Sequence, residues 1–119
     1  MTPDVLVVRK PAKHTLQELA RLAAEPLRRA GAERAVAFGS YARGTADGYA
    51  DLDLIVVLAT DLPRLERPKL LSDLYDAIPV PLDLLVYTPE EFATGVERGR
   101  GVFAAIADEG VTIYERSAS

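Results

Sequence analysis

The chain has 119 residues, enough for one domain that buries roughly two-thirds of the surface its unfolded form exposes. Its composition, 49% hydrophobic and 27% charged, is ordinary for a water-soluble globular protein, and the lack of cysteine excludes disulfides and thiolate metal sites. A net charge of −4 gives a field that does not attract nucleic acid, and no apolar run is long enough to span a bilayer, so neither is expected as a partner.

At the N-terminus Asp4 precedes a short apolar run, Val5 to Val8, and Arg9 and Lys10 follow it. That order is wrong for a signal peptide and predicts a cytoplasmic protein, with residues 1–13 as a strand or arm of a single domain spanning 1–119. From Thr15 the apolar spacing becomes helical through Leu16, Leu19, Ala20, Ala23, Leu27 and Ala30. Thr15 and Glu18 make a capping-box pattern and Gly31 a stop, while Pro26 is expected to kink or split the helix. Arg34 to Phe38 is a short strand ending at Gly39-Ser40, and Tyr41 to Arg43 forms one helical turn. Asp47-Gly48 signals a turn, and Asp51 to Leu58 is the strongest strand, apolar on both faces beyond Asp53 as in the centre of a sheet.

Pro63 to Ile78 reads as a second helix, with Leu70, Leu71, Leu74 and Ile78 as its buried stripe and Pro68 weakening its first half. Leu82 to Tyr87 is another strand, with Asp83 near its start. Thr88-Pro89-Glu90-Glu91 is a helix start with a cap, a proline at the first position and Glu91 completing the box. Gly99 and Gly101 separate that helix from one over Val102 to Asp108. Gly110 then precedes a last strand, Val111 to Tyr114. The expected fold class is therefore α+β with α/β character: a small mixed sheet flanked by helices.

Gly39-Ser40 is followed by ten residues and then Asp51-x-Asp53. On a strand, residues two apart point to the same side, so the two aspartates project together. Carboxylates this close repel each other unless a cation lies between them, and Mg2+ accepts such oxygen ligands while sharing them with phosphates. Asp83 is a third acid, able to join them if its strand is adjacent; three acids have room for two metals, and Asp83 is also a candidate proton acceptor. Gly39 allows a tight turn, Ser40 offers a hydroxyl and backbone N–H groups to a phosphate, and Arg43 can reach a phosphate oxygen. Each part alone has a plainer reading as turn, strand-end charge or surface ion pair. Their conjunction arises roughly once in a thousand shuffles of this composition.

Other residues carry less. His14 reads as a solvated loop residue and Asp47 as a turn former. Asp73 and Asp76 belong on the wet face of a helix. Tyr41 and Tyr49 flank the turn, where base contact and aromatic packing are equal readings. Phe92, Val96, Phe103 and Ile106 read as core, with some available to a partner surface.

"FGSYARGTADGYADLDLIVVL" and "PLDLLVYTPEEF" resemble the DNA polymerase β-like nucleotidyltransferase superfamily, and within it the minimal nucleotidyltransferases of bacteria and archaea. The resemblance runs from about Arg34 through Tyr114. It implies transfer of a nucleotidyl group, adenylyl above all, from ATP or another NTP with Mg2+. By position Asp51, Asp53 and Asp83 would be the catalytic metal ligands, and Gly39, Ser40 and Arg43 would bind the triphosphate. Such proteins are often paired with a HEPN-domain toxin, which they can adenylylate on a tyrosine. Ala50 departs from the small polar residue often found before the first acid, removing a hydrogen bond but no ligand.

Two rival readings accompany this one: a non-catalytic antitoxin acting by contact, and a nucleotidyltransferase of small molecules such as antibiotics. The latter would need an acceptor cleft borrowed from a partner or from a second copy in a homo-oligomer.

Overall fold

The computed structural model describes residues 10–117, so the expected strand at Val5 to Val8 lies outside the described residues. The first helix, α1 (Leu16–Ala30), starts where the Thr15 hydroxyl accepts the Glu18 N–H and stops at Gly31 in the left-handed region. It runs on through Pro26, which is buried with Leu19, Ala23 and Leu27. Strand β1 (Arg34–Phe38) leads into a single helical turn, α2 (Ser40–Arg43), and after a loop β2 (Leu52–Val57) follows. In that loop Asp47 makes the expected turn, its carboxylate accepting the Tyr49 N–H at 2.9 Å.

The region from Pro63 to Ile78 divides into a 3-10 segment (Arg64–Leu71) and α3 (Ser72–Ala77). Pro68 has no N–H to bond back one α-helical turn, so the expected continuous α-helix is confined to the second half. The inward line is Arg67, Leu71, Leu74 and Ile78, at spacings of four, three and four, which leaves Leu70 to one side and 42% exposed. Leu70 is thus not part of the buried stripe assigned to it from sequence.

Strand β3 (Leu82–Tyr87) precedes α4 (Pro89–Arg98), α5 (Val102–Glu109) and β4 (Val111–Glu115). Thr88 and Glu91 form the complete capping box expected for α4. The four strands lie in the order β3-β2-β1-β4, with β2 parallel to β3 and β1 antiparallel to both its neighbours. This is the mixed α+β sheet predicted, with β2 at its interior.

Alternation along β2 assigns the two faces. Leu52, Leu54 and Val56 pack with Leu19, Ala23 and Leu27 of α1 and Leu74 of α3, in the larger core. Ile55 and Val57 face the other way, with Tyr87, against Phe92 of α4 and Phe103 and Ile106 of α5. Each fully buried leucine stabilises the fold by about 1.5–3 kcal/mol relative to exposure. Val96, read from sequence as core or as part of an exposed apolar patch, is 53% exposed, because α4 turns Phe92 and Gly95 inward instead. Arg67 is the charged group of this core. Its guanidinium donates to the carbonyls of Leu62 and Val86 and to both carboxylate oxygens of Glu91, so it ties the 3-10 segment to β3 and to the cap of α4.

Candidate active site

Asp53 is the second residue of β2 and therefore lies on the α4–α5 side of the sheet, opposite Leu52 and Leu54. In the parallel pairing Asp53 is in register with Asp83 of β3, and in the antiparallel pairing it is in register with Phe38 of β1. The same alternation brings Asp83 to the side of Asp53. The two acids stand at the end of the sheet where β1 delivers Gly39 and Ser40, beyond the aromatic cover that α4 and α5 place over Ile55 and Val57. Asp51 precedes β2 by one residue and is exposed.

The electrostatics of this cluster are legible at Asp53. Its carboxyl is pushed above the ordinary aspartate range, first by its own burial, then by repulsion from Asp83 and Asp51 and by a hydrogen bond with Asp83; the Arg43 charge pulls it the other way. Among the described residues, no three His, Cys, Asp or Glu side chains stand close enough together to enclose a metal ion. Asp53 and Asp83 make a pair, and Asp51 contributes its charge from just outside the strand. Hard oxygen donors, open to solvent on one side and mutually repelling, suit a cation such as Mg2+ that brings water and phosphate as its remaining ligands.

Gly39 connects this pair to the helical turn. Its φ of 75° and ψ of −156° fall in a region open essentially to glycine alone, and a Cβ built there would collide with Oδ2 of Asp53. The turn therefore lies directly against the acid. Ser40 begins α2, Arg43 closes it, and Gly44 in the left-handed region ends it. Tyr41 is buried in the larger core, whereas Tyr49 is 68% exposed, with the Lys10 ammonium 5.8 Å from its ring centroid.

The residue that sequence reading missed is Glu109, at the end of α5. Its Oε2 accepts the Gly39 N–H at 2.7 Å and an Arg43 Nη1–H at 3.0 Å. One signal was present in the sequence: an acid at the C-terminal end of a helix, just before Gly110, where the helix dipole disfavours negative charge. His14 sits in the loop as expected, 3.5 Å from Glu18.

Two surface clefts lie away from these carboxylates. One, of about 810 Å3, is lined by Arg34, Val57, Phe92 and Glu115 at the far end of the strands. The other, of about 560 Å3, lies between β3, α4 and α5, with Arg64, Arg98 and Arg100 at its edge.

The profile of the nucleotidyltransferase domain family matches residues 16–108. A relative from Methanocaldococcus jannaschii, named "Putative protein adenylyltransferase MJ1305", is 54% identical over 41 residues, 33% of this chain. The match spans only 27% of that relative's length. The fold is similar to the crystal structure of a toxin–antitoxin with AMP-PNP, with TM-score 0.57 at 21% identity, over 82% of this chain and 73% of that one. It is also similar to a crystal structure from Sulfolobus solfataricus named "putative nucleotidyltransferase", with TM-score 0.54 at 20% identity over 82% and 81%. The toxin–antitoxin structure MntA-HpeT gives TM-score 0.51 at 22% identity over 77% and 68%. At these identities the structural likeness speaks for the fold.

Proposed function

The chain belongs to the nucleotidyltransferase domain family, and on that premise we propose that it moves an adenylyl group from ATP to a hydroxyl of a HEPN-type toxin partner. The observation that carries this reading is the register of Asp53 with Asp83 beside a Gly39 turn that already holds an anion, the Glu109 carboxylate. The relative named for protein adenylyl transfer and the two toxin–antitoxin neighbours support the acceptor class.

In this reading Asp53 and Asp83, with Asp51 beside them, would hold Mg2+, which would supply neutralisation of the carboxylates and of charge developing on the phosphates. Ser40 presents its backbone N–H and hydroxyl to the triphosphate, Gly39 gives the turn that lets the phosphates approach while its own N–H stays on Glu109, and Arg43 offers its guanidinium. The acceptor oxygen attacks the α-phosphorus in line. The bond from that phosphorus to the β-bridging oxygen breaks, pyrophosphate leaves, and Asp83, the more exposed of the paired acids, takes the hydroxyl proton.

Incubation with α-labelled ATP, Mg2+ and the protein encoded by the adjacent reading frame tests the reading. Label should move to that protein with the wild type and not with Asp53→Ala. No transfer by the wild type would sink it. Full neutralisation of the partner by the Asp51→Ala, Asp53→Ala double variant would leave contact alone as the mode of action.

A further inference from the structure

Glu109 is placed where an unpaired carboxylate would be costly. It ends α5, whose last turn carries no basic residue, so the dipole opposes its charge, and its side chain is only 18% exposed. Two donors from 66 and 70 residues away in sequence answer that cost, the Arg43 guanidinium and the Gly39 N–H. The carboxylate thereby bridges the backbone of the Gly-Ser turn and the side chain at the end of the same helical turn. Arg43 itself is half exposed, and among the described residues only its Nη1 has a protein partner. Nε and Nη2 remain available to another anion. Arg43 is also close enough to Asp53 for its charge to be felt there.

We propose that Glu109 is the positioning residue of the triphosphate cradle: it clamps Gly39 and one edge of Arg43, so that the other edge of the guanidinium is set for the nucleotide's phosphates. A long, flexible, half-exposed arginine loses rotamer freedom whenever it binds a ligand. A fixed carboxylate on one side means that most of this loss precedes nucleotide binding, which is preorganisation of affinity. Glu109 touches neither nucleotide nor metal in this scheme, and acts through Arg43 and Gly39. The inference rests on the nucleotidyl-transfer reading above.

The test is equilibrium binding of trinitrophenyl-ATP with Mg2+, which needs no acceptor, followed by KM and kcat for transfer. Glu109→Ala and the isosteric Glu109→Gln should weaken binding about tenfold, the scale of one charge-assisted hydrogen bond, and raise KM while kcat stays within about twofold. In an Arg43→Ala background, Glu109→Ala should cost less affinity than it does in the wild type, since only its hold on Gly39 is left to lose. If Glu109→Ala is poorly folded, Glu109→Gln alone decides. Wild-type affinity in a folded Glu109 variant, or a loss that simply multiplies with that of Arg43→Ala, overturns the inference and leaves the functional reading intact. A wild-type protein that binds no nucleotide overturns both.

Discussion

Asp53 and Asp83 occupy matched positions on two parallel strands, so the charge of Asp83 opposes the ionisation of Asp53. A carboxyl raised above its unfolded value binds its proton more tightly in the folded chain. Its contribution to stability therefore grows as pH falls through the folded pKa and becomes a penalty when both forms are ionised at neutral pH.

Removing that repulsion should stabilise the fold and destroy the chemistry. Asp53→Asn is expected to raise the urea midpoint at pH 7 and, on the proposed function, to reduce nucleotidyl transfer by at least about a hundredfold, since several kcal/mol of transition-state stabilisation would go with the proposed metal ligand. Millimolar Mg2+ should raise the melting temperature of the wild type and leave that of Asp53→Asn unchanged. An equal rise in both would place cation binding elsewhere.

Gly39 meets two constraints at one position, its backbone conformation and its contact with Asp53. Gly39→Ala should cost about 1–3 kcal/mol in backbone strain and displace the Asp53 carboxylate as well. Urea denaturation reads the first effect and nucleotide transfer the second. Gly99→Ala, at a helix end with no neighbour closer than 3.9 Å, should lose stability without losing activity.

Arg67 is 7% exposed and serves three elements at once. Arg67→Ala should destabilise by about 3 kcal/mol, since the Leu62 and Val86 carbonyls lose their donor and Glu91 loses its partner. Arg67→Lys should recover little, because an ammonium cannot reproduce the planar fork. A loss under about 1 kcal/mol in chemical denaturation would contradict the staple assigned to this residue.

Glu91 supplies the acid-side pH dependence. The Arg67 hydrogen bond, chiefly, and the Thr88 N–H hold its carboxyl down from 4.5 to about 2. A lowered carboxylate contributes stability that is fully present above the unfolded pKa and is lost as pH falls through the folded one, here between pH about 4.5 and about 2. Glu91 remains 38% exposed, so solvent screening trims the effect. Glu91→Gln should be less stable than wild type near neutral pH, and the difference should shrink across that window. A difference independent of pH would mean that the lost charge is immaterial.

Local order was legible from the chain because its causes lie within a few residues of each other. The Thr15 and Thr88 caps, the stop at Gly31, the apolar run of β2 and the Gly39-Ser40 turn ahead of Asp51 and Asp53 all follow from neighbouring side chains and the strand or helix period. Pro68 could be read as a weakness. That it reduces half of a helix to a 3-10 segment, with Arg67 turned inward and Leu70 left out, depended on Val86 and Glu91 supplying partners for the guanidinium. Asp83 could be proposed from sequence as a third acid, yet its meeting with Asp53 required β3 to add parallel to β2 in one register, and a slip of one residue would have turned it to the other face. Glu109 lay 70 residues from Gly39 with no periodic signal to join them. Only the docking of α5 on the sheet, driven by Phe103 and Ile106 against Ile55 and Tyr87, brought its carboxylate to the turn. Hydrogen bonding and side-chain period along the chain set the elements and the acids they carry. Burial of two apolar sheet faces decided which of those acids came together.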